Sequence, residues 1–112
     1  MKIPLPSEHA EQVTFVAWFR AQYPDVRIFA IPNGGIRHKV TAQQLKAEGV
    51  VSGVPDLYIP AWHLWIEMKR KKGGRLSPEQ KDWKAYLEGC GDTVFVCKGW
   101  ESAKEAVEQW QK

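Results

Sequence analysis

The sequence is poor in the residues that mark secreted and zinc-binding domains. Its 112 residues include two cysteines, Cys90 and Cys97, which form neither a CxxC pair nor a dense framework. We therefore expect no disulfide scaffold or zinc cluster, but two ordinary buried thiols in a reduced compartment. No segment approaches the roughly 20 apolar residues of a membrane span, and the N-terminus lacks a signal-peptide run. These absences predict a soluble protein that is neither secreted nor membrane-bound.

Strong charge of one sign is also missing. The 16 basic and 13 acidic residues leave a formal net charge of +3, which is compatible with a polyanionic partner but common in proteins without one. What the chain does contain is apolar material, at 44% hydrophobic residues with six tryptophans. This composition argues against disorder and predicts one domain over residues 1–112, folding alone or as a small oligomer.

Turn and capping signals divide the chain into eight elements. The elements predicted are a helix from Ser7 to about Tyr23, a strand over 26–31, a short helix with capping-box spacing at Thr41 and Gln44 and a stop at Gly49, strands over 54–59 and Leu64–Lys69, a helix capped by Ser77 with Pro78 and Gln80 in its first turn, a strand over 93–97 and a helix over about 101–111. The order α-β-α-β-β-α-β-α predicts an α/β fold with a mixed sheet flanked by helices.

The two central strands carry the chemically informative residues. Side chains alternate along a strand, so Glu67 and Lys69 project from one face while Met68 projects from the other. If these strands form a hairpin that is symmetric about the 60–63 loop, Asp56 stands directly opposite Glu67. Like charges at cross-strand distance destabilise a sheet unless something compensates, and a divalent cation would compensate.

The donor set of such a site favours a hard cation. Two carboxylates and a nearby backbone carbonyl, assigned to Met68, suit Mg²⁺ or Mn²⁺ better than Zn²⁺. Lys69 could then orient or deprotonate a water, or stabilise the charge that grows on a phosphorane, which is the chemistry of phosphodiester hydrolysis. The alternative is a pair of solvated strand charges. It is weakened because Asp56 and Glu67 lie among apolar residues.

Several motifs in this order resemble the VRR-NUC branch of the PD-(D/E)XK nucleases. They are GVPDL at 53–57, WIEMK at 65–69 and GRLSPEQ at 74–80, with PNGG at 32–35 also fitting that family. The resemblance covers the chain from about Ser7 to Gly99. It implies a restriction-endonuclease-like fold, a catalytic core of Asp56, Glu67 and Lys69, and Mg²⁺ as cofactor with Mn²⁺ as a substitute. The stand-alone phage-encoded members are similar in size, which implies the cytoplasm of a bacterial or phage-infected cell.

The resemblance implies two further site residues. An acid on the opening helix matches Glu8, which is followed by Gln12 in a Glu-x-x-x-Gln pattern. Helical periodicity predicts that Glu8 is on the buried side, as metal ligand or water-positioning residue, with Glu11 rotated away as the reserve. Alternatively, Glu8 only stabilises the helix start through its favourable interaction with the helix dipole. Gln80 is the second residue, although its capping-box position is a complete structural explanation by itself.

Basic loops are expected to grip DNA phosphates without reading bases. Their residues are Arg37, His38, Lys39, Arg70, Lys71, Lys72 and Arg75. As isolated charge runs, the alternative is that they are simply solvated loops. At the hairpin tip, Trp62 is interpreted as a DNA wedge, a dimer contact or a side chain partly buried against a neighbouring helix.

Together these features predict a metal-dependent DNA endonuclease that selects branched DNA such as Holliday junctions. A homodimer is expected because symmetric cutting of two strands needs two active sites. One alternative is a less selective nicking or restriction-like nuclease. The other, from a different class, is a non-catalytic DNA-binding module on the same fold.

Overall fold

The computed structural model describes residues 4–32 and 39–111, except for the side chains of residues 39–42. In those residues four α-helices and four strands follow one another in the order expected from the sequence. They are α1 (Glu8–Gln22), β1 (Phe29–Ala30), α2 (Lys39–Ala47), β2 (Leu57–Ile59), β3 (Leu64–Lys69), α3 (Pro78–Gly89), β4 (Thr93–Lys98) and α4 (Trp100–Trp110). The predicted α/β fold with helices flanking a mixed sheet is confirmed.

The strands form one open sheet in the order β1-β2-β3-β4. The first two pairings are antiparallel, and β3 runs parallel to β4. Between β2 and β3, a short 3-10 turn at Pro60–Trp62 ends on His63 in the left-handed region, and Ile59 pairs with Leu64. Tyr58 then pairs with Trp65, so the predicted symmetric hairpin register is confirmed.

Strand β3 divides the molecule into two layers. Its core face presents Leu64, Ile66 and Met68, each at most 1% exposed, to the hydrophobic core. That core also includes Phe15 and Phe19 of α1 together with Ala103 and Val107 of α4. Fully burying a side chain of this size contributes roughly 1.5–3 kcal/mol, so this layer holds α1 and α4 against the sheet.

The opposite side of β3 is the site face, defined by Trp65, Glu67 and Lys69. Helix α3 packs against this side of β4, and its start follows the predicted capping box. The Ser77 hydroxyl accepts a hydrogen bond from the Gln80 backbone N–H at 3.2 Å. In return, the Gln80 side-chain carbonyl accepts from the Ser77 N–H at 2.9 Å. These two bonds satisfy donors that a helix start would otherwise leave open.

Several predicted boundaries were wrong. Helix α2 begins at Lys39, so Thr41 lies inside the helix rather than at its N-cap. Strand β2 begins at Leu57 instead of residue 54, because Pro55 has no N–H to donate to the ladder. Strand β1 is two residues long rather than six. The predicted stop of α2 at Gly49 is confirmed by its φ of +102°.

Trp62 is partly buried against α1, which was one of its three interpretations. Its ring lies 5.4 Å from the Phe19 ring and 5.3 Å from the Tyr23 ring, both in edge-to-face geometry. These contacts explain its position without a DNA wedge. Of the two thiols, Cys97 is buried as expected, whereas Cys90 is exposed at the end of α3 and that expectation was wrong.

Gly53 lets the segment before Asp56 approach α3 closely. Its φ is +96°, and a Cβ added there would lie 2.8 Å from the backbone carbonyl carbon of Glu79. Gly53→Ala should therefore destabilise the fold by about 1–3 kcal/mol more than the strain of a positive φ alone. Urea unfolding with Gly49→Ala as control checks this, since Gly49 has a similar φ and no neighbour within 4 Å of an added Cβ. Equal losses in the two variants would contradict the close approach.

Candidate active site

The hairpin places the Asp56 side chain next to strand β3. Asp56 lies just before β2, and one of its carboxylate oxygens accepts a hydrogen bond from the Met68 N–H at 2.8 Å. This bond extends the pairing of β2 with β3 beyond Leu57 and Ile66, the pair at that end of the ladder. The Asp56 carboxylate consequently adjoins Glu67 on the site face, as the symmetric register predicts. Repulsion between the two carboxylates contributes to a raised pKa of Glu67.

The backbone of Met68 points toward Asp56, although its side chain lies on the core face. In a strand, the N–H and C=O of one residue point to the same edge. The Met68 N–H faces Asp56, whereas the carbonyl of the next residue, Lys69, accepts from the Gly99 N–H at 2.8 Å on the other edge. The Met68 carbonyl is therefore on the same edge as the Asp56 carboxylate.

Gln80 joins the two charged residues of β3. Its side-chain carbonyl accepts a hydrogen bond from the Lys69 ammonium at 2.9 Å, and its NH₂ group donates to the Glu67 carboxylate at 3.1 Å. Donors on one side and an acceptor on the other determine which end of the amide is oxygen. The two readings of Gln80 are thus compatible, since one side chain caps α3 and contacts the site.

Burial makes this group of charges unusual. Glu67 is 3% exposed and Lys69 is 6% exposed, and their charged atoms are 3.6 Å apart. Burial, followed by repulsion from Asp56, raises the pKa of the Glu67 carboxyl from 4.5 to about 8, while Lys69 acts in the opposite direction. The attraction to Lys69 does not offset the other two effects. Additional positive charge near Asp56 and Glu67 would favour the ionised pair.

The predicted orientation of the α1 acids was wrong. Glu8 is exposed, and Glu11 is 1% exposed. One Glu11 carboxylate oxygen accepts a hydrogen bond from the Trp100 N–H at 3.1 Å, at the start of α4. That start has no side-chain cap of its own, because Gly99 occupies the N-cap. Glu11 supplies the missing acceptor, which explains why the helix turns this acid inward.

A third acidic ligand does not join Asp56 and Glu67. Across residues 4–32 and 39–111, no three His, Cys, Asp or Glu side chains are close enough to hold one metal ion. Glu8 instead lines an open groove with Arg70 and Arg75, beside the loop that follows β3. A role of Glu8 in the site remains a prediction from the motif.

The basic loop between β3 and α3 borders the site. Its side chains Arg70, Lys71, Lys72 and Arg75 are all exposed. Gly74 folds this loop back onto the active strand, since a Cβ there would lie 2.8 Å from the Cβ of Lys69. Arg37 and His38 of the other predicted loop lie outside the described residues, as does the side chain of Lys39.

Sequence reasoning missed two charged residues near the basic loop and the site. Lys98 is exposed and pairs in parallel register with Lys69, which places both on the same face. Glu101 forms an ion pair with Lys71 at 2.9 Å. Lys98 belongs to a strand that a local pattern can predict, but its neighbour in the sheet depends on the parallel register. The pairing of Lys71 likewise depends on where α4 begins.

Comparison with known proteins agrees with this geometry. The family model of the VRR-NUC domain matches residues 5–101. The chain belongs to the VRR-NUC family. A solved structure named "VRR_NUC domain protein" is similar to it, with a TM-score of 0.78 and 26% sequence identity over 96% of this chain and 89% of that chain. No curated protein matches the chain.

Membership of the VRR-NUC family gives the chain a nuclease-type fold and implies that it binds DNA. The motifs that carry the sequence resemblance all lie within the matched residues. In the part of the chain that the structure describes, no helix has the length and apolarity to cross a membrane.

The raised pKa of Glu67 makes stability depend on pH. Between pH 4.5 and about 8 the folded carboxyl holds its proton more tightly than the unfolded one. Its contribution to the free energy of unfolding is therefore complete below pH 4.5 and is lost as the pH rises toward 8. Urea unfolding of the parent and of Glu67→Gln in a metal chelator should show the parent losing stability relative to the variant over this range. Parallel pH profiles would contradict the raised pKa.

Proposed function

We propose that this VRR-NUC chain is a Mg²⁺- or Mn²⁺-dependent endodeoxyribonuclease that hydrolyses phosphodiester bonds in branched DNA. The observation that carries the proposal is the contact between two neighbouring carboxylates and a buried ammonium. Asp56, Glu67 and Lys69 bring these groups together at the end of the hairpin. Family membership supports the nuclease class, and the donor chemistry supports the metal.

The residues present fit a hard divalent cation. Asp56 and Glu67 offer carboxylate oxygens, and the Met68 carbonyl lies on the Asp56 edge of β3. An all-oxygen set of this kind suits Mg²⁺ or Mn²⁺. Burial, followed by repulsion from Asp56, raises the pKa of Glu67, and a bound cation would oppose both effects. When bound, the ion would polarise the phosphoryl oxygen and acidify a water.

Lys69 is positioned to act on the attacking water or on the phosphate. Its ammonium has three N–H donors, of which one binds the Gln80 carbonyl at 2.9 Å and a second faces Glu67 at 3.6 Å. The third remains for a water or a phosphate oxygen. Because Gln80 and Glu67 hold the amine in place, charge that develops on the phosphate meets a preorganised donor.

A preference for branched DNA and a homodimer are the finer parts of the proposal. Symmetric cuts in two strands of a four-way junction need two copies of the site. An open apolar groove of about 430 Å³ between α1 and β1 includes Val13, Val16 and Phe29. Val13 and Phe29 are about half-exposed, so this groove offers a second copy a surface to bury.

Lys69→Ala tests the reaction. It should retain DNA affinity but cleave at least about a hundredfold more slowly, because an interaction made mainly in the transition state is lost. Single-turnover cleavage of matched junction, flap, single-stranded and linear DNA with Mg²⁺ or Mn²⁺ measures this. Lys84→Ala is the matched control, since Lys84 lies on α3 and forms an ion pair with Glu88 of the same helix.

The same assay separates the possible functions. Lys69→Arg keeps the charge but cannot transfer a proton at neutral pH, so parental rates in this variant would assign Lys69 to electrostatic stabilisation. Parental rates in Lys69→Ala would refute the proposed site. Equal cleavage of junction and linear DNA would favour the less selective nuclease. DNA binding without cleavage under all metal conditions would favour the non-catalytic module.

Glu101 should weaken DNA binding by occupying Lys71. Their hydrogen bond is the largest cause that raises the pKa of the Lys71 ammonium. Glu101→Gln should increase affinity about two- to fivefold, the range for one exposed ion pair, and steepen the salt dependence by about one counterion. DNA titrations at several salt concentrations measure both effects.

Glu105→Gln is the control for that measurement, because Glu105 is an exposed acid on the same helix. It removes the same charge without releasing Lys71. If the two variants gain affinity equally, general repulsion of DNA explains the effect and the specific competition for Lys71 is wrong.

A further inference from the structure

A further concave surface adjoins the site face of the sheet. This aromatic cleft has a volume of about 450 Å³ and is open to solvent. The residues that matter for its chemistry are Glu48, Val50, Val51, Val54, Trp65 and Trp83. Trp65 lies on β3 and Trp83 on α3, while the others belong to the segment between α2 and β2. Trp65 shares the site face with Glu67 and Lys69, but none of these six residues has a role in the proposed reaction.

The cleft lies beside the catalytic carboxylates. Trp65 is two residues from Glu67 on β3, so the two side chains lie on the same face. Val54 is two residues before Asp56, in the segment that leads into β2. Two residues of a strand span roughly 6.6 Å. Stacked nucleotides in one DNA strand advance by about 3.4 Å each. A base in the cleft would thus belong to a nucleotide about two steps from a phosphate beside Glu67.

The two indole rings offer aromatic surface to such a base. Trp65 is held in place, because its ring N–H donates to the Asp92 carboxylate at 2.9 Å and its ring packs on Tyr58 at 4.2 Å. Trp83 makes an edge-to-face contact with Tyr86 at 5.6 Å. Aromatic rings fixed in this way can stack a base without losing much side-chain entropy.

The charge on the described part of the cleft favours a base over a phosphate. Among the described residues that line it, Glu48 is the one charged side chain, and it is negative. A carboxylate repels phosphate but accepts a hydrogen bond from the exocyclic amine of a base. The other described residues that line the cleft are apolar or glycine, which suits a flat uncharged ring.

We propose that the aromatic cleft holds one unpaired nucleobase of the DNA substrate, next to the phosphate that is cut. This inference rests on the proposed function, because the ligand is part of the same DNA. It also gives that function a reason to prefer branched DNA. A base at a junction is already unstacked, whereas a base inside a duplex must first be extruded at a cost in free energy.

Trp83→Leu tests the cleft through binding, without cleavage. A branched DNA carries a single abasic position that is moved in turn across the nucleotides around the branch, and affinity is measured in a metal chelator. In the parent, removal of one particular base should weaken binding about tenfold, the order expected for one lost stacking contact. In Trp83→Leu the intact DNA should bind more weakly, and removal of that same base should then have little further effect.

Trp110→Leu is the matched control. Trp110 is 38% exposed on α4 and contacts Phe95 on the other side of the sheet. It should show the parental difference between intact and abasic DNA. If thermal melting shows that Trp83→Leu is unfolded, Val51→Gln tests the same cleft, since Val51 is 45% exposed.

An identical abasic profile in the parent and the cleft variant would overturn the proposal. A changed sedimentation coefficient with that same identical profile would mean that a second copy of the chain occupies the cleft, and this also overturns it. Because binding is measured without metal, the loss of an abasic effect in the cleft variant supports the base subsite even if no DNA is cleaved. The absence of cleavage alone counts only against the proposed nuclease activity.

Discussion

The buried ammonium of Lys69 is the group on which the rest of the site depends. A charged amine that is 6% exposed destabilises a fold unless acceptors replace the water it has lost. The Gln80 carbonyl and the Glu67 carboxylate take that place. Glu67 in turn is tolerated because Lys69 opposes the effects of its burial and of Asp56. Each group is therefore stabilised by the others.

Helix α3 holds this unit in position. The Gln80 side chain caps the helix, accepts from Lys69 and donates to Glu67, so one amide connects the helix start to the active strand. Gly53 allows the segment before Asp56 to reach the same turn of α3. The reacting groups are therefore placed by secondary structure and its caps. The exposed basic loop is left to contact DNA under the proposed function.

Much of this arrangement could be predicted because it follows from short-range rules. Strand alternation places Glu67 with Lys69, and a symmetric hairpin brings Asp56 beside them. The capping box of Gln80 is readable from four consecutive residues. Strand ends were predicted less well, since Pro55 shortens β2 in a way that hydrophobicity does not reveal. The metal, the DNA substrate and the dimer remain predictions, because they concern partners outside the chain.

The sequence by itself determined the order of the elements, the hairpin register and the core of the site, because each depends on residues close together in the chain. The tertiary structure decided between Glu8 and Glu11. Periodicity favoured Glu8, which is seven residues before Phe15, but Glu11 is one helical turn before Phe15 and can also face inward. The Trp100 N–H, 89 residues away from Glu11, is the donor that selects Glu11. The alignment of Lys98 with Lys69 and the position of Trp65 and Trp83 in one cleft also depend on packing between distant segments, which no local pattern encodes.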